Sequence, residues 1–192
     1  MVDRFSIRKP SSQNPAESVD LRARGDFDLN ECFIDGTFVV AKKRDSERKR
    51  PSGAKGRSSW RWPHGAGLPL AVHTTSDSPH EVSLVTDTLL ESFVDEFPER
   101  LLVDKAFDSD PLDKELTAAG IEMIAPHRGG RKKPATQGGR SLRRFRRRHK
   151  VERLFAWQHN FRRLVVCYEY YQENFLGFVH IGCILILLRS YL

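Results

Sequence analysis

Three acidic residues stand out for their settings: Asp35 in ECFIDGTFVVAKK, Asp104 at the end of RLLVD, and Glu152 in RRFRRRHKVERLFAWQH. An aspartate inside an apolar, β-branched stretch is costly to bury alone. Asp35 must therefore face an open edge, pair with a cation or bind a metal. Glu152 is the single carboxylate in a basic run. At ~100° per residue, Phe145, Arg148, Glu152 and His159 fall on one helical face. Taken singly, each acid has an ordinary role. Asp35 suits a strand end or turn, Asp104 a helix cap, and Glu152 an ion pair with Arg148 worth ~0.3–0.5 kcal/mol. Brought together, three carboxylates repel one another, and their hard oxygens favour Mg²⁺ or Mn²⁺.

The elements that must bring them together follow from local pattern. Residues 1–30 are a polar leader, partly disordered, and the domain is expected over 31–192. Glu31 to Lys43 reads as a strand, rich in β-branched and aromatic residues. Residues 44–66 have no strand or helix period and read as a long irregular loop or insert. Gly67 to Thr75 is a second strand. Ser78, Pro79 and Glu81 form a capping-box signature for a helix reaching about Phe97. A short strand ending at Asp104 follows, and Lys105-Ala106-Phe107 turns the chain. A helix from Asp110-Pro111 closes near Gly120, and Ile121 to Ala125 is a buried-type strand. A basic loop, 126–140, leads into one long basic helix over 143–159. An apolar helix, 172–192, ends the chain. Strands alternating with helices make an α/β fold with parallel segments, in which ligand sites collect at strand ends.

Composition narrows the function. The 192 residues carry 32 Lys plus Arg against 25 Asp plus Glu, a net +7. The excess is concentrated: from Met123 to Val151 there are eleven Lys/Arg and no acid. Such a block suits phosphate backbones; a solvated charge run is the plain alternative. Cys32, Cys167 and Cys183 have no metal-like spacing and read as reduced thiols. The first residues lack the apolar core of a secretion signal. The apolar run Phe175 to Leu188 is short of the ~20 residues that span a bilayer, so a buried helix is expected and no membrane partner. The seven histidines show no zinc-ligand spacing.

IDGTFV around Asp35, DKAFDSD around Asp104 and FRRRHKVER around Glu152 resemble the three acidic blocks of bacterial insertion-sequence DDE transposases. The likeness is to the insertion-sequence-five type within the group-four-like superfamily. It extends to PHRGGRKKP, ERLFAWQHNFRRLVV and ENFLGFVHIGCILILL. The resemblance implies a ribonuclease H-like mixed sheet with flanking helices. It implies that Asp35, Asp104 and Glu152 are catalytic and hold two Mg²⁺ (or Mn²⁺) ions. The implied reaction is cleavage at element ends and transfer of the 3′ end into target DNA. Terminal inverted repeats and target DNA are the implied partners, bound by a dimer on DNA, in the cytoplasm at the nucleoid. Arg148 and His159, with Arg144, Arg147, Lys150, Arg153, Lys132 and Lys133, are the candidate DNA contacts. The family's Tyr-Arg-Glu-Lys signature is met here by Phe145, Arg148, Glu152 and His159, so a hydroxyl and a permanent cation are replaced.

The stretch Arg57-Ser58-Ser59-Trp60-Arg61-Trp62-Pro63 stands where relatives carry an apolar second strand. Arg, Ser, Pro and Trp clustering is what a GC-rich gene yields out of frame. A truncated, decayed copy with that strand disrupted is therefore expected. Two further readings stay open. One is a non-catalytic basic DNA-binding remnant using residues 128–150; the other is a membrane-associated protein anchored by Phe175 to Leu188.

Overall fold

The computed structural model describes residues 29–42, 56–63, 65, 67–75, 81–94, 96–130 and 139–191. Its centre is the extended stretch expected at Glu31–Lys43, which forms two consecutive strands. β1 (Cys32–Phe33) pairs in parallel with β5 (Arg100–Leu102), which pairs in parallel with β6 (Glu122–Ile124). β2 (Asp35–Ala41) continues from β1 after Ile34 and pairs antiparallel with β3 (Gly56–Pro63) and parallel with β7 (Val166–Cys167). β3 pairs antiparallel with β4 (Pro69–Thr75). The orders β1-β5-β6 and β4-β3-β2-β7 share the Cys32–Ala41 ribbon. Asp35 therefore sits where the antiparallel half meets the parallel half.

Period-two alternation sends side chains to both faces. Cys32, Ile34, Leu101, Val103 and Met123 pack on one side with Leu84, Val85, Leu89, Leu112 and Leu116. These last come from α1 (Glu81–Leu90) and α2 (Asp110–Ala118). Phe33, Leu102 and Ile124, one residue out of phase, meet Val151 on the other side. Val151 lies on α4 (His149–Gln158), which follows α3 (Gly139–Arg144). Val39 and Val72 meet Leu164 of α5 (Arg162–Val165) and Phe175, Val179 and Cys183 of α6 (Gln172–Tyr191).

Four expectations change. First, 56–63 is a strand, not part of a loop, so the second strand is present rather than disrupted. Its neighbours β2 and β4 offer backbone partners along both edges, and backbone pairing does not need an apolar side-chain pattern. Ser59, Arg61 and Pro63 are buried at alternate positions. Second, α1 ends at Leu90 rather than near Phe97. Ser92 bridges to Ala71, and the Phe93 N–H donates to the Leu70 carbonyl at 2.8 Å, so the chain joins the edge of β4 instead. Third, the basic stretch is not one uniform helix. Phe145–Arg148 tightens into a 3₁₀ turn with no buried residue to hold it on the sheet. Fourth, only the minor part of α6 is buried. It is 20 residues, long enough by length and composition to cross a membrane. Phe175, Val179, Cys183 and Ile186 pack inward, while Ile181, Ile184, Leu185 and Leu188 are exposed.

α5 and β7 are additions to the expected order, because their segments carry no clear period in the sequence. The capping residue Ser78 and the basic pair Lys132 and Lys133 lie outside the described residues.

Candidate active site

Asp35 opens β2, and its Oδ1 accepts the N–H of Gly36 at 2.9 Å. That bond orients the carboxylate and leaves Oδ2 facing across the sheet. Asp104 lies two residues past β5, where the chain leaves the sheet into the 3₁₀ turn Lys105–Phe107. Its Oδ1 accepts the Lys105 N–H at 2.7 Å, the capping bond expected of a residue with extended backbone geometry at a helical start. Parallel pairing of β1 with β5 aligns the two strands in register, so their following residues lie side by side.

The two aspartates share one cation. Arg148 Nη2 donates to Asp35 Oδ2 at 2.6 Å, and Nη1 lies 3.3 Å from Asp104 Oδ1. Burial works to lower the Arg148 pKa. The Asp35 hydrogen bond and the charges of Asp35, Asp104 and Glu152 outweigh it and hold the guanidinium above its ordinary value. The 3₁₀ spacing of three stacks Phe145 over Arg148, with the guanidinium 5.7 Å from the ring centre.

Glu152 lies in the first turn of α4, exposed to solvent. Val151, Leu154 and Gln158 pin that helix to the sheet, which leaves Glu152 on its flank, one turn past Arg148. The structure thus brings Asp35 and Asp104 together and places Glu152 beside their shared arginine. Among the described residues no three His, Cys, Asp or Glu side chains converge closely enough to hold a metal together. The donor chemistry nevertheless fits a hard divalent cation. Two carboxylates, one opening β2 and one just past β5, already converge on one positive charge, and a third is available one helical turn away.

The basic candidates divide by what they touch. Arg144 and Arg147 both bind Glu31, the latter at 2.8 Å, and so tie the basic segment to the start of β1. The Glu31 side chain is only 6% exposed. Burial raises its pKa, but the hydrogen bonds and charges of the two arginines outweigh this and hold it below the usual range. Lys150 donates to the Gly65 carbonyl. The Arg153 guanidinium lies 5.1 Å from the Trp157 ring. His159 caps α4 and is exposed.

Sequence reasoning misses two supporting residues. Glu31 reads in sequence only as the edge of a strand. Asp108 reads as a cap or turn residue; its Oδ1 is 3.1 Å from His127 Nδ1, and its Oδ2 accepts the Arg128 N–H at 2.9 Å. Arg128 also donates to the carbonyls of Lys105 and Ala106. The PHRGG segment is thereby fastened to the turn that carries Asp104. The signal that could find this is the histidine-arginine pair following a strand adjacent to β5.

The family model described as "Transposase DDE domain" matches residues 27–188. No characterised protein matches the chain in sequence. In fold, the chain is similar to the piggyBac transposase of a synaptic complex with hairpin DNA, at a TM-score of 0.51 and 11% identity. That match covers 80% of this chain and 45% of the piggyBac chain, so this chain spans less than half of its length. The magnesium-bound, dimeric HTLV-2 integrase catalytic core domain matches with a TM-score of 0.44 at 12% identity, covering 83% and 85% of the two chains.

Proposed function

Because this chain belongs to the transposase DDE domain family, we propose that it is a DNA transposase of an insertion sequence, of the insertion-sequence-five type. It cleaves DNA at the ends of its element and joins the 3′ end to target DNA. The observation that carries this reading is the convergence of Asp35 and Asp104, 69 residues apart in sequence by their numbers, on the single guanidinium of Arg148. In the ribonuclease H-like arrangement the resemblance implies, the first aspartate sits on the first strand and the second follows a later strand, as Asp35 and Asp104 do here.

Asp35, Asp104 and Glu152 are the metal ligands in this reading. Divalent ions bound there supply activation of a water or 3′-hydroxyl and stabilisation of the leaving oxygen. The chain's own work is positioning. The Gly36 and Lys105 N–H groups fix the two aspartates. The Asp108, His127 and Arg128 contacts fix the turn between them and α2. The basic run preceding Glu152 contacts phosphates of the terminal repeats and target. A dimer on DNA, acting at the nucleoid in the cytoplasm, completes the reading.

A specific observation favours a decayed copy. β3 keeps its backbone pairing, but its buried residues include Ser59 and Arg61, at 0% and 1% exposure. Ser59 Oγ, Arg61 Nε and the facing Thr74 Oγ1 are buried without a hydrogen-bond partner among the described residues. Each such group costs about 1–3 kcal/mol. A strand selected for this place would present apolar side chains. In this second reading the chain is a remnant that binds DNA without cutting it.

A nicking and strand-transfer assay with Mg²⁺ on the element's own terminal repeats tests both. Expected for the transposase is activity abolished by Asp35→Asn, Asp104→Asn or Glu152→Gln. The chain as given is compared with one whose 44–63 segment is restored from the alternate reading frame. Activity in the chain as given refutes decay. Inactivity of the chain as given, with DNA still bound and activity regained in the restored chain, favours the remnant.

A further inference from the structure

We propose that Arg148 is a displaceable internal counter-ion, holding Asp35 and Asp104 in the metal-free protein and passing to a DNA phosphate when a divalent cation takes those carboxylates. The inference rests on the metal-site reading above and adds a coupling to it. Arg148 uses Nη2 for Asp35 and Nη1 for Asp104, so both acids are held by one end of the fork. Its Nε is buried with no hydrogen-bond partner among the described residues. The seat therefore leaves a donor unsatisfied at a cost that a bidentate phosphate contact would remove. The residue ends a 3₁₀ turn with no buried side chain of its own, so side-chain rotation alone can move the guanidinium.

The neighbouring arginines are placed differently. Arg144 and Arg147 are held by Glu31, which is outside the pair, and a cation at Asp35 and Asp104 does not compete with them. Competition for the same oxygens has two consequences. Removing Arg148 must tighten metal binding, and metal must strengthen the DNA grip of the intact chain, because linkage is reciprocal. The additional phosphate bound by Arg148 steepens the salt dependence by about one unit of log–log slope.

The test uses the full chain and needs no turnover. Mn²⁺ binding without DNA is measured by isothermal titration for the wild type, Arg148→Gln, Arg144→Gln and Asp35→Asn. Expected is tightening of about 10-fold in Arg148→Gln, no change in Arg144→Gln and loss in Asp35→Asn. Equal or weaker binding in Arg148→Gln overturns the proposal while the metal site stands. The same tightening in Arg144→Gln also overturns it, because loss of any nearby positive charge would then suffice. Absence of saturable binding in every variant overturns the metal-site reading and this proposal together. Arg148→Lys, which keeps the charge and lacks the fork, guards against a folding defect: it must bind Mn²⁺ no more weakly than the wild type. In a second measurement, Ca²⁺ steepens the salt slope of DNA binding in the wild type and not in Arg148→Gln. A wild-type slope indifferent to Ca²⁺ overturns the release.

Discussion

Arg61 stands directly opposite Asp35 in the β2–β3 ladder, yet its guanidinium lies 5.3 Å from the Phe155 ring and makes no ion pair with that aspartate. Cross-strand partners point to the same face. Asp35 reaches toward Arg148 at the rim, whereas Arg61 is trapped beneath α4. Arg61 Nη1 donates to the Ser59 carbonyl at 3.0 Å. Burial pushes the Arg61 pKa down to about 10.

That cation is a liability that a single change should remove. Arg61→Leu is expected to raise the unfolding free energy by ~1–4 kcal/mol, the range seen when buried ionic groups give way to apolar ones. The pH dependence provides a second check. A base whose folded pKa is depressed binds fewer protons folded than unfolded, so wild-type stability should climb as pH passes about 10. The variant should lack that rise. Urea denaturation across the alkaline range measures both, and a less stable Arg61→Leu protein would show that the cation is compensated.

Glu31 should behave in the opposite direction. It ties Arg144 and Arg147 to β1 from a nearly buried position. Glu31→Gln is expected to cost about 1–3 kcal/mol at neutral pH. Because the folded pKa lies below the ordinary value of 4.5, the contribution is complete above that value and fades as pH falls through the lowered one. Thermal denaturation of the two proteins should therefore differ at pH 7 and converge in acid. A constant difference down to the acid limb would show that the charge of Glu31 is not what matters.

The fastening of the Asp104 turn is testable without catalysis. Asp108→Ala removes the acceptor of the Arg128 N–H and the partner of His127. Amide exchange should accelerate at Arg128 and at Phe107, whose N–H donates to the Asp104 carbonyl at 2.9 Å. The increase should exceed that at β4 amides remote from the turn. Uniform acceleration everywhere would reduce Asp108 to a general contributor to stability.

What the sequence determined was local and periodic. The β-branched and aromatic content of Glu31 to Lys43 and the short apolar run ending at Asp104 identified strands, and the order of strands and helices followed from such local signals. The order and setting of Asp35, Asp104 and Glu152 pointed to a shared site, since each follows or opens an element whose type could be read nearby. What only the tertiary structure decided was long-range. A strand at 56–63 forms because β2 and β4 supply hydrogen bonds on both sides, which a side-chain period does not report. Arg148 reaches Asp35 across 113 residues and Glu31 reaches Arg147 across 116, and charge pairs at such separations leave no local mark. The exposed stripe Ile181, Ile184, Leu185 and Leu188 was hidden for the converse reason. A helix apolar all round gives no moment to say which face the sheet will cover.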